Sequence, residues 1–222
     1  VTWNLLNDPL RLMIAFCPLG AYLAVLGWIN LTGRPWVAGG GRDFLALWLG
    51  LTGLVLVGPI SLFMPTWAVA EYGGYTWLLM LALYVLMVLF VLLMRGPRLV
   101  IYNTTILRLV PALQAVADKL DPEARWTDET LYLPNKRIHL MLDENYGTRN
   151  VQLKSVGMNQ DYGSWYELEV ELAQSLTTQP RSWNPYGIFL VALGGFLLGM
   201  VVIRSVTQGG VQEAFIRDIL ML

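Results

Sequence analysis

Four long stretches of this chain carry no charged side chain: residues 12–33, 44–70, 72–94 and 182–203. A helix rises 1.5 Å per residue, so about 20 mainly apolar residues cross the hydrocarbon core of a bilayer. Each stretch is long enough. The expected membrane helices run near 10–29, 44–63, 77–94 and 186–206. Four helices that are apolar all round would need a far larger soluble shell than this chain has left over.

Charge is concentrated elsewhere. Residues 95–181 hold 21 of the 31 charged side chains, which is close to the soluble norm of about 25% for that length. The chain is therefore two materials, lipid-compatible flanks and a water-compatible insert. The expected fold is a membrane all-α bundle of four transmembrane helices with an inserted small α+β domain. Its expected division is 1–96 for three helices, 97–181 for the domain, 182–206 for the fourth helix and 207–222 for a C-terminal tail.

The flanks of the spans fit the same picture. Trp28, Trp36, Trp67, Trp77 and Trp183, with Tyr72, Tyr75 and Tyr186, stand at their ends, where rings with one wet edge favour the headgroup zone. Pro18 and Pro59 fall inside spans and predict local kinks. The first span reads as an uncleaved signal anchor, because no small-x-small cleavage site follows it. Four crossings place the 30–43 loop and the large domain on one side and the 65–75 loop on the other. Arg34, Arg42, Arg95, Arg98 and Arg181 lie near the membrane on the first side, against Arg11, Arg204 and Arg217 on the second. That bias predicts a cell-membrane protein with a cytoplasmic domain.

Within the domain, 98–103 reads as a strand and 106–120 as a helix with one apolar face. Short strands follow at 124–127, 130–134, 137–142 and 150–155, with apolar residues at every second position and turn residues between. Ser164 and Glu167 have the spacing of a capping box for a last helix. The expected topology is β-α-β-β-β-α, with three or four strands between the helices and an antiparallel sheet that both helices cover.

The composition excludes several chemistries. A net charge of -1 gives no reason to expect nucleic-acid binding, and one Cys excludes an internal disulfide or a thiolate zinc cluster. The single His, His139, falls on the polar face of a strand, so paired-His haem or metal ligation within one chain is excluded. The spans contain no ionisable group of the kind that marks a proton or ion path. Cys17 has no base beside it, and no serine sits in a nucleophile elbow. Asp143-Glu144-Asn145 lacks the spacing of a calcium loop and reads as a hairpin turn. Gly39-Gly40-Gly41-Arg42 precedes a helix but lacks the phosphate-loop pattern, and reads as a flexible loop at the membrane surface. No catalytic residue, metal ligand or cofactor is expected.

What remains concerns packing. Gly195 and Gly199 form a GxxxG pattern beside Gly194, and Gly20 with Ala24, or Gly50 with Gly53, make similar flat patches for close helix contact. After Gly209-Gly210, the tail places Val211, Phe215, Ile219 and Leu222 at nearly helical spacing, fit for the interface or a partner helix. The expected partners are the bilayer and other membrane subunits. The expected function is a non-enzymatic accessory, scaffold or assembly subunit of a membrane complex. The alternatives are an enzyme acting on a lipid or amphiphile at the interface, or a signal-sensing membrane protein.

Overall fold

The computed structural model describes residues 9–60, 66–127, 130–145, 149–181 and 184–207. The chain forms two units. One comprises Val1–Val25, Ala46–Leu92 and Leu190–Leu222; the other comprises Leu26–Leu45 and Leu93–Phe189.

The long helices are α1 (Pro9–Thr32), α2 (Gly40–Val55, continued by a π-helical segment Leu56–Ile60), α4 (Gly74–Met94) and α7 (Tyr186–Thr207). All four are long and apolar enough to cross a membrane. The apolar runs set these helices, and the ends differ from the expected ones by a few residues. Pro59 lies in the π-helical segment, the form helices adopt where an extra residue must be absorbed. The 65–75 stretch, expected as a loop, contains a short helix α3 (Thr66–Tyr72). Thr76 Oγ1 donates to Ala68 O (3.0 Å), which ties α4 back to α3.

Within the first unit the contacts are close because glycines allow them. A Cβ at Gly53 would overlap the carbonyl oxygen of Ile14, and one at Gly50 would meet Tyr22. A Cβ at Gly194 would stand 2.7 Å from Gly20 O and 2.9 Å from Ala24 N. So α1 packs backbone to backbone on both α2 and α7. Thr52 Oγ1, 3.1 Å from Tyr84 OH, and the Trp48–Tyr84 ring pair join α2 to α4. The rest of α4 is bare, since only 6% of its apolar span is buried. A helix of this composition buried in a soluble core would show the opposite.

The second unit is built on an antiparallel sheet. Its strands are β1 (Trp36–Gly39), β2 (Arg98–Tyr102), β3 (Arg125–Thr127), β4 (Thr130–Leu133), β5 (Ile138–Asn145) and β6 (Asn150–Ser155), in the order β1-β2-β6-β5-β4-β3. Helices α5 (Ile106–Leu120) and α6 (Tyr162–Leu176) cover one face. Leu99, Ile101, Leu131, Leu133, Ile138, Leu140, Val151 and Leu153 alternate inward and meet Leu109, Leu113, Trp165, Leu168 and Leu172. Each fully buried Leu or Ile in such a core contributes about 1.5–3 kcal/mol.

Three expectations are corrected here. The sheet has six strands, not the four or five that β-α-β-β-β-α allows. The extra one is β1, contributed by the segment between the first two long helices. Gly39–Arg42, expected as a flexible loop, are accordingly the last residue of β1 and the first turn of α2. Helix α6 starts at Tyr162 with Asp161 as its N-cap, and the Asp161 carboxylate accepts from Ser164 N (2.7 Å). Ser164 is therefore inside the first turn. Asp161 was available three residues upstream and is the stronger cap because it carries charge.

Candidate functional site

Three places in the second unit gather polar side chains from different elements. The first is a buried cluster of three asparagines. Asn30, Asn103 and Asn184 are each almost wholly buried. Asn103 adopts a left-handed backbone (φ 57) at the end of β2, a conformation asparagine tolerates better than most side chains. That turn aims its side-chain amide at the last residues of α1 and the loop after it. Asn103 Nδ2 donates to Ile29 O (2.8 Å) and to Arg34 O (3.0 Å). Asn184 Nδ2 donates to Asn30 Oδ1 (2.8 Å), and Asn30 Nδ2 donates to Leu26 O (2.8 Å). Asn184 Oδ1 accepts from Tyr186 N (3.2 Å) at the start of α7. The cluster stitches the end of α1, the end of β2 and the start of α7.

The second place is the turn from β1 into α2. Gly40 is closely packed, and any Cβ there would overlap the Arg98 side chain. Around it, Arg42 pairs with Glu169 of α6, Tyr102 OH donates to Asp43, and the Arg95 guanidinium lies 4.0 Å over the Phe44 ring. Arg98 Nη2 is 3.5 Å from Gly40 O, while its buried Nε has no partner among the described residues. Burial and the nearby Arg95 press the Arg98 guanidinium below its usual pKa, and Asp43 and Tyr102 oppose them. Arginine stays protonated regardless. Here two carboxylates, a phenol and three arginines meet, but the described bonds join them mostly to one another.

The third place is a pair of cavities. The larger, about 420 Å³, has Tyr132, Arg137, His139 and Asn159 among its walls. Gln160 rivets its floor. Its Oε1 accepts from His139 N (3.2 Å) and Trp165 Nε1 (3.0 Å), and its Nε2 donates to Val156 O (2.7 Å). The His139 ring meets Tyr132 edge to face. The smaller cavity, about 190 Å³, is walled by Asn103, Thr104, Thr105, Arg108 and Arg149. Among the described residues no three His, Cys, Asp or Glu side chains gather as a metal site would need.

The residues singled out from sequence distribute as follows. Gly20, Ala24 and Gly194 meet at one contact. Gly195 and Gly199 do not join it, and a Cβ on either would meet nothing within 4 Å. The GxxxG pattern is thus one residue out of phase with the α1–α7 seam within this chain, about 100° round the helix. Trp28, Trp36, Trp67 and Trp77 are exposed, as are Arg34, Arg42 and Arg95. Arg98 is half-buried, because its position on β2 sets its side chain against Gly40. Trp183 and the tail residues Val211, Phe215, Ile219 and Leu222 lie outside the described residues.

Asn30 and Asn184 were not singled out from the sequence, and Asn103 only as a candidate cap of the 106–120 helix beside Thr104 and Thr105, of which Thr105 is the N-cap residue. The available signal was an asparagine at or near the boundary of three different apolar or strand segments, where a backbone end needs a polar partner. Arg108 and Arg149 gave no signal, since only the fold brings 149 to 104. Comparison with family models, with curated proteins and with solved structures found no match.

Proposed function

We propose that this chain is a multi-pass membrane protein that serves as a non-enzymatic accessory or scaffold subunit of a membrane complex. The observation that carries the reading is the strand β1. The segment joining α1 to α2 is an edge strand of the sheet, with Trp36 opposite Tyr102 and Gly39 opposite Leu99. Together with the asparagine cluster, it fixes the α+β fold to the ends of the apolar helices at several points. A sheet that recruits its edge strand from between two apolar helices suits presentation of a surface, and the bare apolar face of α4 suits lipid or neighbouring helices. The arginine bias supports a cytoplasmic domain at the cell membrane.

Crosslinking in native membranes, followed by gentle detergent extraction and size analysis, tests it. The expected result is a specific crosslinked membrane subunit that co-elutes with the chain above its own mass. A strictly monomeric particle with no crosslinked neighbour would overturn it.

A second reading, an interfacial enzyme acting on an amphiphile, draws on the Asp43, Tyr102, Arg98, Arg42 and Glu169 group. The ion pair and hydrogen bond already made by Glu169 and Asp43 favour a structural use of that group. Lipid turnover lost in Asp43→Asn, with the fold intact, is the result that would reverse this preference.

A further inference from the structure

We propose that the rim of the second unit, where the apolar helices enter it, is a docking surface for the headgroups of anionic phospholipids. The proposal rests on those helices lying in a bilayer and is independent of the scaffold role. The second unit contains one end of each long helix, namely the last turns of α1 and α4 and the first turns of α2 and α7. The ends of a membrane span stand at the headgroup level. Trp28 and Trp36, 69% and 56% exposed, mark the same level, since indole rings favour that zone.

The charge at these helix ends is one-sided. Residues 26–45, 93–105 and 181–189 hold five arginines, Arg34, Arg42, Arg95, Arg98 and Arg181, and one carboxylate, Asp43. All other acidic side chains of the unit lie between residues 118 and 171. Of these, Glu169 reaches the rim, where Arg42 pairs with it. Arg34, Arg95 and Arg181 are exposed and form no ion pair among the described residues. The Arg95 guanidinium lies 4.0 Å over the Phe44 ring, and Arg98 Nη2 is 3.5 Å from Gly40 O, one helical turn earlier in α2. Two guanidiniums there face one carboxylate, Asp43, which already accepts from Tyr102 OH, so the turn keeps a net positive charge. Arg34 follows Asn30 by four residues and Arg181 precedes Asn184 by three. The two asparagines are bonded to each other, which brings both cations to the edge of the buried cluster.

A surface of unpaired cations and exposed tryptophans at four helix ends fits an oxyanion fixed at the same depth. The phosphodiester of a net-anionic lipid supplies one, whereas phosphatidylcholine carries its own cation beside the phosphate and gains less. All five rim cations are arginines, whose planar fork takes two phosphate oxygens at once. Each cation near an anionic surface shifts binding about fivefold.

The test uses the full chain in a nonionic detergent, mixed with equal amounts of phosphatidylglycerol and phosphatidylcholine of the same chain length. Native mass spectrometry counts the lipids that stay bound. The variants are Arg34→Gln with Arg181→Gln, then Arg95→Gln alone, and Arg125→Gln with Arg137→Gln as a control that removes two exposed charges away from the helix ends. Circular dichroism and elution volume certify folding. The expected result is a wild-type preference for phosphatidylglycerol that falls by about tenfold or more in the rim double variant and about fivefold in Arg95→Gln, and is unchanged in the control. Equal retention of the two lipids by wild type, or equal losses in the rim and control double variants, would overturn the proposal. So would displacement of the bound phosphatidylglycerol by soluble glycerol 3-phosphate at matching concentration, which would make the surface a soluble-phosphate site. Failure of the bilayer reading shows separately, as a chain that stays dispersed without detergent.

Discussion

Asp121 shows what one side chain does in this fold. It follows α5 and is fully buried, yet its carboxylate accepts from Glu123 N (3.0 Å), Asn135 Nδ2 (2.8 Å) and Asn135 N (2.8 Å). Burial alone would raise its pKa. The donors outweigh it and hold the carboxyl below its usual value. A pKa lowered by folding stabilises the fold above the unfolded value of about 3.9, and that contribution disappears as pH falls through the folded value. Asp121→Ala should cost about 2–3 kcal/mol at neutral pH, read by chemical unfolding, and the gap to wild type should close in acid. Asn103 allows a sharper comparison, because its backbone and its side chain do separate work. Asn103→Gly keeps the left-handed turn and loses the two donated bonds to Ile29 and Arg34, at about 1–3 kcal/mol. Asn103→Ala should lose about 1 kcal/mol more by forcing a Cβ into that turn. Equal stability of the two variants would show that the turn carries no such demand.

At the scale of elements, the helices were the most legible part of the chain. Continuous apolar runs need no partner to be recognised, so α1, α4 and α7 could be placed within a few residues. The strands β4, β5 and β6 were nearly as clear, since period-two alternation is written in their own side chains. Strand β1 was not legible. Four residues, Trp-Val-Ala-Gly, carry no period of their own and are a strand only because β2 lies alongside. The same limit applies to sites. The cavity at α5 joins residues 45 positions apart, and no local pattern announces it. Helix seams obey the same rule, for GxxxG marks a flat face without saying whether anything lies on it. Gly53 sits where α1 and α2 touch, with the Ile14 carbonyl in the way of any side chain, so Gly53→Ala should destabilise by about 1–3 kcal/mol. Gly199→Ala should be neutral or stabilising by up to about 1 kcal/mol, since its face is open and alanine is the better helix former. Thermal unfolding in one detergent compares the two directly.

For the whole molecule, an even number of crossings must return the β1 segment and the α+β fold to the same face of a bilayer. The pairing of β1 with β2 demands it, because strands on opposite faces cannot form a ladder. Single-cysteine labelling in sealed, oriented vesicles reads this most directly, on a background with Cys17→Ala. Cysteines replace the exposed residues Arg34 and Glu123 on one predicted face, and Tyr72 and Tyr75 on the other. An impermeant maleimide should modify the first pair from one side only and the second pair only after the vesicles are opened, or the reverse. Arg34 and Glu123 labelling from opposite sides, or all four positions labelling equally in a protein that stays dispersed without detergent, would contradict it.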